Sequence, residues 1–265
     1  MTTGDFLHLA ALRLHDPSFL AIGFATTLLI ALSKGAFGGG LAIVGVPLLS
    51  LVMEPIAAAI VVAPLVSLMD MFTLRTFGRA TWSWPDLVWL LPGLVLGIAI
   101  GWVFFSAVDP RWVTLLIAII TLLFTGHWFL RGRHAPDQNR EVEGPLALAA
   151  ATASGFTTFV AHAGGPPVAM YLLRRGLSKA VYTGTTVLVF TLGNFLKLFP
   201  YLFLALSRPQ TLADALVLAP IVPFGVAAGV ALHNRLEQKR LFFWCYLLLF
   251  AAAIKMLYDV AHQFH

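Results

Sequence analysis

The residues of this chain that could do chemistry lie at two glycine-rich interruptions of apolar sequence. The first reads Ser33-Lys34-Gly35-Ala36-Phe37-Gly38-Gly39-Gly40, and the second reads Ala161-His162-Ala163-Gly164-Gly165-Pro166-Pro167. Each follows a long apolar run and precedes a short one, so both are expected at the depth of a lipid bilayer. Irregular backbone at that depth is tolerated only where protein buries it or where it lines a watery cavity. Paired interruptions in two halves of a chain point to a transporter's binding site.

Composition places the chain in the membrane. Apolar residues make up 59% of its 265 positions and charged residues 11%, whereas a soluble domain carries about 25% charge. The net charge of +5 does not indicate nucleic-acid binding, because the basic residues lie in short loops between apolar runs. The single cysteine, Cys245, excludes a disulfide framework. Neither a metal site nor a cofactor is predicted.

The apolar runs predict an all-α polytopic membrane protein. A helix needs about 20 apolar residues to span a bilayer, so the two short runs cannot cross alone without tilt or a protein pocket. The polar loop 131–143 divides the chain into a first membrane repeat, 1–130, and a second, 144–265. The runs cover about 18–33, 40–53, 55–77, 85–106, 111–130, 145–161, 166–174, 178–206, 211–233 and 240–261.

The two halves match each other in sequence, which predicts a duplication of about five helical segments each. Five matches fall at one offset and include polar residues, so chance matching of Gly and Pro in apolar sequence is the weaker alternative. An offset of 128 places Pro92 on Pro220, Gly97 on Gly225, Gly101 on Gly229, Asp109 on Glu237 and Arg111 on Lys239, while an offset of 124 places Gly40 on Gly164 and Asp70 on Asn194.

Charge predicts that the second repeat is inverted. Cytoplasmic loops are enriched in Lys and Arg, and the basic residues concentrate near 75–79, 131–140, 174–179 and 235–240. If these four places lie on the cytoplasmic side, each half contains an odd number of membrane segments. The second half then begins on the side opposite to the first and is inverted. Both termini are therefore predicted outside and the 131–143 loop in the cytoplasm. Inverted repeats are a common plan of secondary transporters.

The interruptions predict an anion site between the halves. Helix N-termini carry unpaired N–H groups and a partial positive charge, and a two-fold axis in the membrane plane would bring those of the two short helices together. Lys34 and Lys197 add positive charge within membrane segments, where ionisable residues are functional hypotheses by default. Simpler interpretations stay open: Lys34 snorkelling from a helix end, and Lys197 lying near the interface.

Other polar residues complete the predicted site. Asp70 is assigned to coupling as a proton carrier, with pairing to Arg75 or to a lysine as the alternative. His162 either lies in the site or is a helix-end residue at an interface, and Ser33, Thr157 and Thr158 could donate to an oxyanion or bond their own helix. The predicted substrate-binding residues are Ser33, Lys34, Gly38, Gly39, Gly40, His162, Gly164, Gly165, Pro166, Asn194 and Lys197.

The chain resembles the TauE/SafE family, the sulfite exporter or toluenesulfonate uptake permease family. The stretch Lys34 to Gly40, Val46-Pro47-Leu48-Leu49 and Ala163 to Pro167 carry the resemblance, which spans nearly the whole chain. It implies a transporter of sulfite or organosulfonates in the bacterial cytoplasmic (inner) membrane, and the sulfur in the substrate comes from the resemblance alone. The expected mechanism is alternating access, with a non-sulfur organic anion carrier or an anion channel as alternatives. An enzyme is not expected, and a homodimer is compatible with the sequence.

Overall fold

The computed structural model describes most of the chain as helix. The described residues are 11, 13–37, 42–107, 109–130, 141–232, 250–251, 253–254, 257–258 and 260–262. Among them there is no β-strand. In chain order the helices are α1 (Pro17–Phe37), α2 (Gly45–Leu49), α3 (Pro55–Leu74), α4 (Trp84–Ala107), α5 (Pro110–Leu130), α6 (Gly144–Ala161), α7 (Gly165–Arg174), α8 (Lys179–Leu206), α9 (Gln210–Leu218) and α10 (Ile221–Leu232), with 3₁₀ turns at Ala42–Val44 and Arg79–Thr81.

In the part of the chain that the structure describes, five helices are long and apolar enough to cross a membrane: α1, α3, α4, α6 and α8. Helices α9 and α10 together would make a sixth span, bent by 43° where Pro220 interrupts the predicted run 211–233. Proline removes a helical hydrogen bond and bends the chain at such positions. The predicted all-α polytopic membrane fold is therefore confirmed.

The breaks differ in detail from the predicted segments. Helix α1 continues through Lys34 and ends at Phe37, so Lys34 lies in its last turn and not in a loop. After the break, a 3₁₀ turn and the five-residue helix α2 occupy the short run predicted over 40–53. The second short run agrees closely with α7. Both short helices are much shorter than a bilayer span.

Small residues bring the helices close together in two crossings. A Cβ on Gly97 of α4 would lie 2.1 Å from the Thr152 carbonyl oxygen of α6, and Gly155 Cα is 2.9 Å from the same point. On α10, a Cβ on Gly225 would lie 2.6 Å from Ala31 Cβ of α1. Such small-residue crossings let membrane helices approach each other closely.

These two crossings correspond under the predicted repeat. Gly97 falls on Gly225 at the 128 offset, and Ala31 falls on Gly155 at the 124 offset. The crossing of α4 with α6 thus has its counterpart in that of α10 with α1, while α3 packs against its own counterpart, α8. This pattern is the one that a two-fold relation would give, and the inversion itself stays a prediction. Four helices of these pairs, α1, α3, α6 and α8, carry the buried polar residues described next.

Candidate functional site

A buried cluster joins three helices around Asp70. Lys34 Nζ, in the last turn of α1, donates to Asp70 Oδ1 on α3, and Asn194 Nδ2 on α8 donates to Asp70 Oδ2. Lys34 and Asp70 are 2% and 1% exposed. Among the alternatives for Asp70, the structure therefore shows pairing with a lysine. A lysine in the last turn of a helix also interacts favourably with the helix dipole.

A second buried lysine lies on α8 one turn beyond Asn194. Lys197 Nζ is 3.1 Å from the carbonyl oxygen of Thr158, 3.1 Å from its hydroxyl, and 2.8 Å from His162 Nδ1. Thr158 and His162 lie at the end of α6, where the Thr158 carbonyl also accepts from the His162 N–H at 3.1 Å. Lys197 is therefore held at a helix C-terminus by neutral groups, whereas Lys34 is held by a carboxylate.

His162 has a strained backbone and a fully engaged ring. Its φ is 51°, in the left-handed region, and it is the only non-glycine residue with positive φ among those described. The ring Nε2 lies 3.1 Å from the Ala59 carbonyl oxygen on α3. Since a carbonyl only accepts, Nε2 carries the proton and Nδ1 accepts from Lys197. The imidazole thus links α6, α3 and α8.

The break between α6 and α7 leaves two amide donors. In the first turn of α7, Pro166 and Pro167 have no N–H, so the amides of Gly164 and Gly165 are the orphan donors at this helix end. Neither amide donates to an acceptor among the described residues. Ser154 Oγ donates to the Gly164 carbonyl at 2.6 Å and fixes the turn. The two prolines of the Gly-Gly-Pro-Pro sequence therefore add no further N–H group without an acceptor in the first turn of α7.

A small cavity lies where these groups meet. Its volume is about 20 Å³, enough for about one water. Residues of both halves line it, so it lies between the two predicted repeats. The lining residues are Lys34, Ala42, Thr158, His162, Gly164, Gly165, Phe190 and Asn194.

Five of the eleven predicted substrate-binding residues line this cavity: Lys34, His162, Gly164, Gly165 and Asn194. Lys197 lies one layer behind it, through Thr158 and His162. Ser33 is fully buried, its hydroxyl has no partner among the described residues, and it does not line the cavity. The backbone of Pro166 lies in the first turn of α7. The predicted residues Gly38, Gly39 and Gly40 lie outside the described residues.

Sequence reasoning missed Tyr201, Ala59 and the cavity wall residues Ala42 and Phe190. Tyr201 lies one helical turn after Lys197, and its hydroxyl donates to the Phe159 carbonyl at the end of α6. The i, i+4 spacing from an intramembrane lysine was a usable signal, since such residues share a helix face. Ala42 and Phe190, the apolar residues of the cavity wall, have no comparable signal in the sequence.

A comparison with protein families identifies the family to which the chain belongs. The model of the family Sulfite exporter TauE/SafE matches residues 23–256. The chain belongs to this family. The resemblance inferred from the glycine motifs is thereby confirmed, and the chain is a multi-pass membrane protein of a transporter family. Searches among curated proteins and among solved structures gave no match.

Two further buried carboxylates anchor this TauE/SafE chain away from the cavity. Asp86, at the start of α4, accepts from Tyr171 at 2.5 Å and from Arg175 at 2.9 Å. Asp214, on α9, accepts from Arg13 at 2.8 Å. The two aspartates are 128 positions apart, the offset of the predicted repeat. Each half therefore has a buried aspartate clamped by an arginine from another element.

Apart from the Lys34–Asp70 pair at the cavity, the ion pairs between distant described segments sort into the two sides predicted from charge. Two pairs, Arg13 with Asp214 and Arg208 with Glu54, join segments predicted outside. The other two pairs, Arg175 with Asp86 and Arg174 with Glu143, join segments predicted inside. No ion pair among the described residues of the TauE/SafE chain joins a predicted outer segment to a predicted inner one.

Proposed function

We propose that the protein is a secondary transporter that moves a small sulfur-containing anion, sulfite or an organosulfonate, across the membrane by alternating access. The observation that carries this proposal is a pair of buried lysines, one from each half: Lys34 lines the cavity together with Gly164 and Gly165, and Lys197 lies one layer behind it. Buried charges in a membrane protein are costly and mark substrate pathways. The family supports transport, and it alone suggests sulfur as the central atom.

The groups at the cavity suit an oxyanion better than a cation. Lys34 supplies charge, the amides of Gly164 and Gly165 supply backbone donors, and Thr158 supplies a hydroxyl. Asn194 uses one amide hydrogen on Asp70 and has a second one free for a ligand, because an amide nitrogen carries two donors. Several donors converging on one point are suited to the several oxygens of a sulfite or sulfonate group.

Movement is required for such an anion to bind and leave. A space that holds about one water is too small for a sulfite ion, so the surrounding elements must separate. The cavity is walled by α1, the 3₁₀ turn, α6, α7 and α8, which come from both halves. Rocking of one part of each half against the rest would open the cavity alternately to the two sides.

The membrane potential and the coupling ion determine the direction in which the anion is transported. Export of an anion follows an inside-negative potential, worth about 2.3 kcal/mol per charge per 100 mV. Uptake needs a coupled ion, and protons carried through Asp70 or His162 are the candidate route. We place the protein in the bacterial cytoplasmic membrane with both termini outside, and a homodimer is compatible with this arrangement.

Two measurements test the proposal: anion binding by the purified protein, and then anion flux into liposomes. Thermal stabilisation of the purified protein is measured with sulfite, sulfate, thiosulfate, sulfoacetate, taurine, acetate and chloride, since a ligand of the folded state alone raises its stability. A shift with a sulfur anion, lost in Lys34→Ala, is the expected result. Stabilisation by carboxylates alone would remove the sulfur substrate, and no stabilisation by any anion would contradict the site.

Flux into liposomes then separates carrier from channel. We expect slow, saturable uptake of the anion that gives the thermal shift, because each cycle needs a conformational change. Fast flux that follows the voltage without saturation would contradict alternating access and favour an anion channel.

A further inference from the structure

Two hydroxyl groups of α6 hold the chain where it turns toward α7. Ser154 is completely buried, and its Oγ donates to the Gly164 carbonyl oxygen at 2.6 Å. Thr157 Oγ1 lies 3.1 Å from the Ala163 carbonyl oxygen, and the Thr157 carbonyl accepts from the Ala163 N–H at 3.1 Å. The peptide units 163–164 and 164–165 are therefore both attached to α6 through their carbonyl groups.

These two contacts determine where two amide groups point. In a planar trans peptide unit, the C=O of one residue and the N–H of the next point in opposite directions. The Gly164 carbonyl shares its peptide unit with the Gly165 N–H, and the Ala163 carbonyl shares its unit with the Gly164 N–H. Because α6 holds both carbonyls, each N–H points away from the hydroxyl that holds its peptide unit.

The two N–H groups belong to residues that line the cavity. Gly164 and Gly165 have no side chains, so they contribute backbone atoms to the cavity wall. Neither N–H donates to a backbone acceptor among the described residues. Gly164 also packs tightly on α6, because a Cβ there would lie 2.7 Å from Thr158 Cβ and 2.9 Å from Ser154 Oγ. A side chain at position 164 would therefore push the turn away from the hydroxyl that holds it.

We propose that Ser154 and Thr157 are positioning residues of the anion site, which aim the Gly165 and Gly164 amides at the anion by holding the carbonyls of the same peptide units. This inference rests on the proposed anion site and adds two residues that do not line its cavity. Glycine restricts the backbone least, so an unheld turn would leave the amides free to rotate. Donors that are already oriented bind a ligand more tightly than donors that binding must order.

The side chain of Thr157 also has an acceptor in its own helix. Its Oγ1 lies 2.8 Å from the Ala153 carbonyl oxygen, the i−4 contact that threonine often makes inside helices. A residue that only packs needs the shape of its side chain, whereas a positioning residue needs the hydroxyl. Thr157→Val keeps the shape and removes the hydroxyl, while Thr157→Ser keeps the hydroxyl and removes a methyl group.

Binding of sulfite and of methanesulfonate to the full-length purified protein is measured by calorimetry. Ser154→Ala and Thr157→Val are each expected to weaken binding by about tenfold, the effect of a poorly aligned hydrogen bond to a charged group. Thr157→Ser is expected to keep the wild-type affinity. The matched control is Thr152→Val, because the Thr152 hydroxyl donates to the Leu148 carbonyl of its own helix at 2.9 Å and does not line the cavity. This variant should bind like the wild type.

Nuclear magnetic resonance of protein with isotope-labelled glycine reports on the amides themselves. When a probe binds to the wild type, the proton signals of Gly164 and Gly165 should move downfield, as expected of amides that donate to an anion. Ser154→Ala should reduce the shift of Gly165 more than that of Gly164, and Thr157→Val should do the reverse. A general loosening of the fold would not produce this crossed pattern.

The outcomes separate this inference from the anion site on which it rests. Unchanged affinity in Ser154→Ala or Thr157→Val, or an equal loss in Thr157→Ser and Thr157→Val, would overturn the inference while the anion site stands. The wild-type spectrum decides the matter even where a variant does not fold, because binding of a probe without a shift of either amide would overturn the inference. Failure of the wild type to bind either probe would overturn both the inference and the site.

Discussion

Lys34 at the end of α1 and Asp70 in the middle of α3 form an ion pair that is almost completely excluded from solvent. The carboxylate also accepts from Asn194 of α8, so both of its oxygens have partners. A buried ion pair contributes little net stability compared with apolar residues, but loss of one partner leaves a buried, uncompensated charge. The pair therefore determines how these helices meet without being a large source of stability.

Replacing one residue of this ion pair is expected to lower the free energy of unfolding more than replacing both residues. Asp70→Asn should lower the free energy of unfolding by about 3–5 kcal/mol, because Lys34 then lacks its carboxylate. The double variant Lys34→Met with Asp70→Asn should recover most of that loss. Thermal unfolding in detergent measures both, and a double variant less stable than Asp70→Asn would contradict this account of the pair.

Two substitutions of His162 separate the role of its side chain from the strain of its left-handed backbone. His162→Gly should lose the side chain but relieve the backbone, since glycine adopts positive φ freely. His162→Ala loses the same hydrogen bonds and keeps the strain, so we expect it to be less stable than His162→Gly by about 1–2 kcal/mol. Anion binding should weaken in both, because the ring no longer positions Lys197. Equal stability of the two variants would contradict the left-handed conformation.

The fold was largely predictable because its signals are local. Apolar runs predicted helices α3, α4, α6 and α8 to within a few residues, since a helix satisfies its own backbone hydrogen bonds in lipid. The end of α1 was predicted too early at Ser33. Glycine in a helix costs only about 1 kcal/mol, and Gly35 is kept helical by close packing on Val226 and Gly229 of α10. That contact joins distant parts of the chain, so no local pattern contains it.

The site was predictable as a set of residue types but not as a set of partners. Lysines and glycines in apolar sequence identified Lys34, His162, Gly164 and Lys197 because polar groups in lipid are costly. Their pairing depends on how α3 and α8 cross. Thus Asp70 could have met Arg75 or either lysine, and the structure shows Lys34. The buried clamp of Asp86 was overlooked although its counterpart Asp214 lies at the repeat offset.

The sidedness of the ion pairs predicts which residues a reagent can reach from outside. Cysteines are introduced singly at 54 and 208, and at 143 and 174, in a Cys245→Ser background. In intact cells a membrane-impermeant thiol reagent should label the first two positions and should not label the last two. Inverted vesicles should give the opposite pattern. Labelling of 54 and 143 from the same side would contradict the predicted arrangement, because Glu54 and Glu143 belong to different groups of ion pairs.

The close crossing of α4 and α6 makes Gly97 sensitive to one added methyl group. In Gly97→Ala the new Cβ would meet the Thr152 carbonyl at 2.1 Å, and the obstacle is backbone that cannot turn aside. We expect a loss of about 1–3 kcal/mol in the free energy of unfolding, typical of overpacking.

The matched control is Gly126→Ala on α5, where a Cβ has no neighbour within 4 Å. That change should be neutral or should stabilise the protein by up to about 1 kcal/mol, since alanine is the better helix former. Thermal unfolding of the two variants side by side measures the difference. An equal effect of both substitutions would mean that α4 and α6 do not cross at Gly97, and the correspondence of this crossing with that of α10 and α1 would lose its support.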